Sequence, residues 1–562
     1  MATHAHGVGL GFGVMALAGK ALNKQTIIQG AIILTLASII IRVLGAAYKI
    51  PLGRMLGDEG LGIYAVPNQF YLLFFTISSA GIPVGVARLV SEKISMGLYR
   101  DAYRTFQISL AAMVSVGMAF SLTLFFGASW LVEVGLVANP QSYYGLLAIA
   151  PVIFFAAVTS SYRGLFQGLQ NMSPVASSQV ADQLMLVGGT LLFSYLMLPQ
   201  GLAMAAAGAN FGAVPGAVAA TLIMIYYYYR HRSSLLELVS RDKGEYREKS
   251  LSLLKKILVV SIPISFASVA VAITGVIDNK LIIDRLQMVG YSQQQATAMY
   301  GQFNQMAMSF INISIAFAFS VGTSLVSPVA EAYGSRNTVR ISQQTSTALR
   351  LSLLTTIPSA AGLYFLAPQL TLFIYANEHA GVPLAALAPA IIFWGVHLVL
   401  SGVLQGLGRA DIPVINLLAG IAFKIGITYY LTPTSLGIRA AALGTLAMFV
   451  ISSILNFISV NRMVGIKIDL SSSVLRPAAA SLLMGLAARE AYGLGMALSD
   501  NNSLATMGAM TAGMAVFPVL AVLTGSILPD DLKNLPRIGP RAALMLTAYE
   551  SRRDRLLSIF KK

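Results

Sequence analysis

The chain has 562 residues, 56% hydrophobic and only 11% charged, with a mean hydropathy of +0.72. That is more apolar surface than one soluble core can hide and less than half the roughly 25% charge of an ordinary globular chain, so a cytosolic enzyme is excluded and the bilayer is the expected solvent. Cysteine is absent, which removes disulfides, thiolate nucleophiles and Cys-ligated metal centres together. The net charge of +16 has to be read by where the charges sit relative to the hydrophobic runs.

In chain order, residues 1–24 form an N-terminal extension. Its apolar stretch from Gly7 to Gly19 is too short to span, lacks a cleavage site, and follows no strand that would make its glycines a dinucleotide loop. His4 and His6 are too few for a metal site. A membrane helix needs about 20 mostly apolar residues, and fourteen such runs follow: 26–50, 61–87, 103–127, 141–166, 174–199, 202–229, 256–277, 298–327, 347–367, 380–407, 412–432, 437–460, 474–497 and 504–526. Short turn signals such as Asn139-Pro140 and Thr432-Pro433 separate them, and Pro199 with Gly201 divides the fifth run from the sixth. The predicted class is an all-α integral membrane protein of about 14 transmembrane helices.

Charge predicts the orientation. With the N-terminus and every even-numbered loop on one side, that side carries 30 of the 38 Lys and Arg residues and the other side 6; Arg42 and Lys424 lie inside runs. Basic residues near helix ends stay cytoplasmic, so both termini are expected in the cytoplasm. The same spread over many loops argues against a nucleic-acid partner, which would need the charge gathered on one face.

An internal duplication organises the runs. Tyr64 to Gln69 recurs as Tyr300 to Gln305 at a shift of 236 residues, and Ala150-Pro151 as Ala388-Pro389 at 238. Gly164-Leu165-Phe166-Gln167-Gly168-Leu169 likewise recurs as Gly402-Val403-Leu404-Gln405-Gly406-Leu407, again at 238. The predicted organisation is an N-terminal six-helix lobe (25–230), a charged cytoplasmic linker (231–255), a C-terminal six-helix lobe (256–465), helices thirteen and fourteen (466–530) and a basic cytoplasmic tail (531–562). Six helices per copy return the chain to the same side, and transporters built from such parallel repeats hold substrate between their halves.

Ionisable groups inside hydrocarbon cost about 2.5 kcal/mol or more and point to function. Arg42 lies about 24 Å along the first run at 1.5 Å per residue, where it either snorkels to the outer head groups or serves a cavity. Lys424 falls near the middle of the eleventh run, and Asp182 is the one clear intramembrane acid, a counter-charge or a backbone partner. Asn68, Gln69, Asn304 and Gln305 recur at matched places, beside Pro67 and Gly301, and either knit helices together or line a polar path. These seven residues are the substrate-contact candidates. His397 reads first as a packing histidine and second as a proton relay. No motif for phosphate-cradling nucleotide chemistry and no metal spacing occurs, so no cofactor or metal is expected, and transport would run on an ion gradient, the membrane potential or downstream consumption.

Ile41-Arg42-Val43-Leu44-Gly45, the two six-helix copies and the extra terminal pair resemble the polysaccharide-exporter branch of the multidrug/oligosaccharidyl-lipid/polysaccharide (MOP) superfamily. Within it the chain is most similar to the stage V sporulation protein B group, relatives of the lipid II flippases. Tyr48 and Lys49 stand where lipid II flippases carry a further Arg and Asp, and the second and eighth runs hold Asn and Gln in place of arginines, which favours the sporulation-type branch. The resemblance implies a flippase rather than an enzyme, in the bacterial cytoplasmic membrane. Its substrate would be an undecaprenyl-pyrophosphate-linked saccharide, a peptidoglycan precursor used for spore cortex or cell wall, with membrane lipids and cell-wall synthesis machinery as candidate partners. Intramembrane bases outnumber the lone acid, which suits a pyrophosphate. The competing expectation is a cation-coupled multidrug exporter of the same superfamily. A membrane enzyme would need a carboxylate pair or His-Asp cluster at one face, and none stands out.

Overall fold

The computed structural model describes residues 27–79, 81–240, 242, 248–466 and 469–527. The expected extension 1–24, the centre of the expected linker and the basic tail 531–562 lie outside the described residues. Among these residues the regular structure is helical throughout, with twenty α-helices and no strand. Apolar segments in a bilayer must satisfy their backbone groups internally, and the helix does so within one segment.

The helices divide into two compact units. The first, Met1–Asp284 with Gln293–Gly301, holds α1 (Ile27–Ala47), α2 (Lys49–Ser79), α3 (Ile82–Ser95), α4 (Tyr99–Glu133), α5 (Tyr143–Gly168), α6 (Ser173–Met197), α7 (Leu202–Phe211), α8 (Ala213–Ser240), most of α9 (Ser250–Met288) and α10 (Gln293–Gly301). The second, Arg285–Ser292 with Gln302–Lys562, begins with a π-turn, Gln302–Ala307. It continues with α11 (Met308–Ser314), α12 (Ala316–Gly334), α13 (Thr338–Phe365), α14 (Ala367–Tyr375), α15 (Gly381–Leu387), α16 (Ala390–Gly406), α17 (Asp411–Leu431), α18 (Ile438–Val464), α19 (Arg476–Ser499) and α20 (Asn502–Leu523). The run at 256–277, placed by sequence in the second copy, packs with the first unit. Gly81 and Gly85 lie against the Ser261 backbone and hydroxyl of α9, and Gly275 lies against the Gln69 side chain, because small residues let helices close to backbone contact.

Among the described residues eight helices are long and apolar enough to cross a membrane, or up to eleven if each of three bent pairs is one span. The fourteen expected runs are not reached by this measure. The runs at 298–327 and 380–407 are broken, with bends of 50° between Gln293–Ser314 and Ala316–Gly334 and 46° at Ala388-Pro389. Arg489 and Glu490 interrupt the apolar face of α19. The break at Pro199 and Gly201 is as expected: α6 ends in a 3-10 turn, and Gly201, at φ 109°, starts α7 in a conformation that suits glycine. The linker is narrower than expected, since α8 runs on to Ser240, where Leu235 is buried in the first unit's core.

The duplication is visible in the packing. In α5, a Cβ on Gly164 would lie 2.7 Å from Val86 Cβ and one on Gly168 2.7 Å from Val90 Cβ, both in α3. In α16, Gly402 lies against the Gly322 carbonyl, and a Cβ on Gly406 would lie 2.8 Å from Val329 Cβ, both in α12. The motif's apolar members are buried in the core of their own unit in both copies: Leu165, Phe166 and Leu169 in the first, Val403, Leu404 and Leu407 in the second.

Candidate functional site

The first unit encloses a cavity of about 340 Å³ between α2, α5, α6, α7 and α8. Its wall carries one opposed charge pair. Arg163 on α5 places Nη2 3.7 Å from Asp182 Oδ2 on α6, and the two side chains keep 22% and 36% of their exposure. Arg163 Nε donates to Ser178 Oγ at 3.3 Å, and Ser178, fully buried one turn before Asp182, donates in turn to Val175 O at 2.8 Å. Gly216 of α8 brings its backbone close to the carboxylate, where a Cβ would lie 2.8 Å from Asp182 Oδ1. Both charges are thereby fixed in position.

The rest of the wall is rich in donors. Asn68 Nδ2 donates to Asn210 Oδ1 at 2.9 Å and to Tyr64 O at 2.8 Å, and Asn210 Nδ2 donates to Ala206 O at 3.0 Å. The Tyr48 and Tyr64 hydroxyls lie 3.4 Å apart, and Tyr71, Ser79, Thr159, Ser160 and Thr190 add further hydroxyls to the lining. Pro67 removes one backbone donor from α2, and the Asn68 amide supplies a link to α7 beside that gap.

Of the seven sequence candidates, Asn68 and Asp182 meet in this cavity. Arg42 is exposed on α1 and is not among the cavity's lining residues. Gln69 turns from it to Gly275 of α9. Lys424, Asn304 and Gln305 belong to the second unit. Lys424 is buried on α17 opposite Gly444 of α18, where a Cβ would meet its Cγ at 3.4 Å. Gln305 Nε2 donates to Asn304 Oδ1 at 3.1 Å within the π-turn Gln302–Ala307, a distortion common at functional positions. His397 packs as a satisfied histidine, bonded to Asn456 at 3.1 Å and ringed by Phe449. Sequence reasoning missed Arg163. It lies next to the Gly164 motif near the end of an apolar run and reads as a loop cation; the signal was its place inside the run 141–166, off the face that carries Gly164 and Gly168.

Apolar helices built on an internal duplication, with a cavity that carries a charge pair in the first unit, define a multi-pass membrane transporter. The chain matches the polysaccharide biosynthesis protein family over residues 27–326, more than half its length, and belongs to that family. The MatE family matches residues 263–430. The chain is 27% identical to stage V sporulation protein B of Bacillus subtilis (strain 168) over 92% of this chain and 99% of that one, and 24% identical to lipid II flippase MurJ of the same organism over 83% and 88%. Among solved structures it is similar to lipid II flippase MurJ in an inward closed conformation (TM-score 0.64, 17% identity, 88% of this chain and 98% of that one). It is also similar to an inward-facing multidrug resistance MATE family transporter of the MOP superfamily (TM-score 0.63, 17% identity, 77% and 98%). Membership of the MOP superfamily, expected from the Arg42 motif and the repeat, holds on these grounds.

Proposed function

We propose that the protein is a flippase that moves an undecaprenyl-pyrophosphate-linked saccharide, a peptidoglycan precursor, from the inner to the outer leaflet of the bacterial cytoplasmic membrane by alternating access, with both termini cytoplasmic. The family match over residues 27–326 carries this reading. It is supported by similarity along most of the chain to a sporulation protein and a lipid II flippase. A guanidinium among amides and hydroxyls suits phosphate oxygens, because Arg presents paired donors in a planar fork. Asn68 and Asp182 act at this cavity, and Arg42, Lys424, Gln69, Asn304 and Gln305 are further contacts along the path of the substrate. The work of transport comes from an ion gradient or the membrane potential, without a cofactor and without catalysis, and the exported precursor passes to cell-wall synthesis machinery.

The test is reconstitution into proteoliposomes with a labelled lipid-linked precursor and a leaflet-accessibility readout. Protein-dependent movement, slowed by Arg42→Ala and by Lys424→Ala at unchanged expression, is expected. The second reading, a cation-coupled multidrug exporter, is favoured by the MatE match over 263–430 and by the Asp182 carboxylate in the cavity. Export of a cationic dye while the precursor stays in its leaflet would replace the first reading with the second.

A further inference from the structure

We infer that Arg163 and Asp182 form an exchangeable charge pair, in which a ligand's phosphate displaces the carboxylate from the guanidinium, so that the first unit's cavity is a phosphate-class anion subsite. The inference rests on the flippase reading for its biological ligand.

The pair's geometry is that of a held but unconsummated contact. At 3.7 Å the two groups neutralise each other without a hydrogen bond, while Ser178 fixes the guanidinium through Nε alone. A phosphate oxygen arriving at hydrogen-bonding distance would make charge-assisted contacts shorter than Asp182 makes, of about 2.7–2.9 Å. Both side chains keep part of their exposure, so a ligand can reach either. The Tyr71 hydroxyl, and whichever of the paired Tyr48 and Tyr64 hydroxyls accepts from the other, can donate to further oxygens. At about 340 Å³ the cavity lies at the small end of ligand pockets, matched to a diphosphate or a sugar phosphate rather than to a whole glycopeptide head.

The duplication supplies an internal control. At the shift of 238 that aligns Gly164 with Gly402, Ser401 stands where Arg163 does and His397 where Thr159 does. The second unit closes these positions by neutral hydrogen bonds: Asn456 Nδ2 to Ser401 Oγ at 3.4 Å and Asn416 Nδ2 to Asn456 Oδ1 at 2.8 Å. Its α17 carries no acid after its first residue, Asp411. The same lobe architecture is therefore built without the pair, and packing does not require these charges in the first unit.

The full-length protein in detergent is titrated with geranylgeranyl diphosphate and, separately, with inorganic pyrophosphate. Arg163→Ala is expected to weaken binding at least tenfold, Arg163→Lys less, and Asp182→Asn to tighten it several-fold by removing the internal competitor. Binding of the prenyl diphosphate ten times tighter than pyrophosphate identifies a lipid head group as the source; equal binding identifies free phosphate. Unchanged binding in Arg163→Ala, or a loss in Asp182→Asn as large as in Arg163→Ala, overturns the inference, as does Asp182-dependent binding of a cationic dye with no anion bound. Should Arg163→Ala fail to fold, the near-isosteric Asp182→Asn decides alone, with unchanged or weaker binding counting against the subsite. The same variants in the precursor assay separate the two readings. Absent flipping with this binding pattern intact retires the flippase and leaves the subsite, whereas flipping with no anion bound retires the subsite alone.

Discussion

Lys93 Nζ, at the end of α3, donates to Glu248 Oε2 at 2.7 Å, and both side chains are about nine-tenths buried. Lys256 forms a second ion pair with the same carboxylate, Ser252 donates to it at 2.8 Å, and Arg104 Nη1 donates to the Glu248 carbonyl at 2.9 Å. One residue thus ties the segment entering α9 to α3 and α4 of the first unit. Removing one partner of a buried pair leaves the other charge uncompensated, which costs about 3 kcal/mol or more. Glu248→Gln should lower the melting temperature of the detergent-solubilised protein accordingly. Lys256→Ala, at a half-exposed side chain, should cost under about 1 kcal/mol, and equal losses in the two variants would show that burial is not what gives the clasp its strength.

The same carboxylate sets a pH dependence. Burial by itself would raise its pKa, but hydrogen bonds from Lys256, Lys93 and Ser252 outweigh burial and hold it down at about 2. Its unfolded value is about 4.3, so the folded state binds fewer protons than the unfolded one between the two values. The stabilisation is complete above about pH 5 and is lost as pH falls toward 2. The melting-temperature gap between wild type and Glu248→Gln should therefore stay constant from pH 5.5 to 8 and narrow below about pH 4.5.

A Cβ on Gly402 would meet the backbone carbonyl of Gly322 more closely than one on Gly164 would meet its nearest neighbours, Val86 Cβ at 2.7 Å and the Pro83 carbonyl at 3.1 Å. Neither a helix carbonyl nor a Cβ can shift without moving its helix, so the closer approach is the costlier one. Gly402→Ala should then exceed the usual overpacking cost of about 1–3 kcal/mol, with Gly164→Ala inside that range. Gly127→Ala, which meets nothing within 4 Å, should be neutral or slightly stabilising. Thermal unfolding of the three variants checks the order.

Asn68 and Asn210 form a side-chain bond at 2.9 Å between α2 and α7 in the wall of the cavity. Interhelical bonds of this kind are worth about 0.6 to 2 kcal/mol. A double-mutant cycle with Asn68→Ala and Asn210→Ala should give a coupling energy in that range, with precursor flipping reduced in each single variant. Additive losses in the cycle would assign the two amides to separate tasks.

The sequence by itself determined the solvent, the helical class and the duplication. Twenty-residue apolar runs leave the backbone no partner but itself in hydrocarbon, and the Gly164 and Gly402 motifs record their common origin in composition and spacing. It also singled out Asp182, since an acid in an apolar run is conspicuous on one dimension. What it could not supply was rotation about each helix axis and the choice of neighbour. Arg42 and Arg163 both lie in apolar runs, yet one is exposed on α1 and the other is turned onto α6. The partner of Asp182 lies nineteen residues away on another helix, and Gln69, adjacent to Asn68, faces a different helix from it. Such pairings are fixed by which small residues let two helices close on each other, a property of surfaces in contact that only the tertiary structure decides.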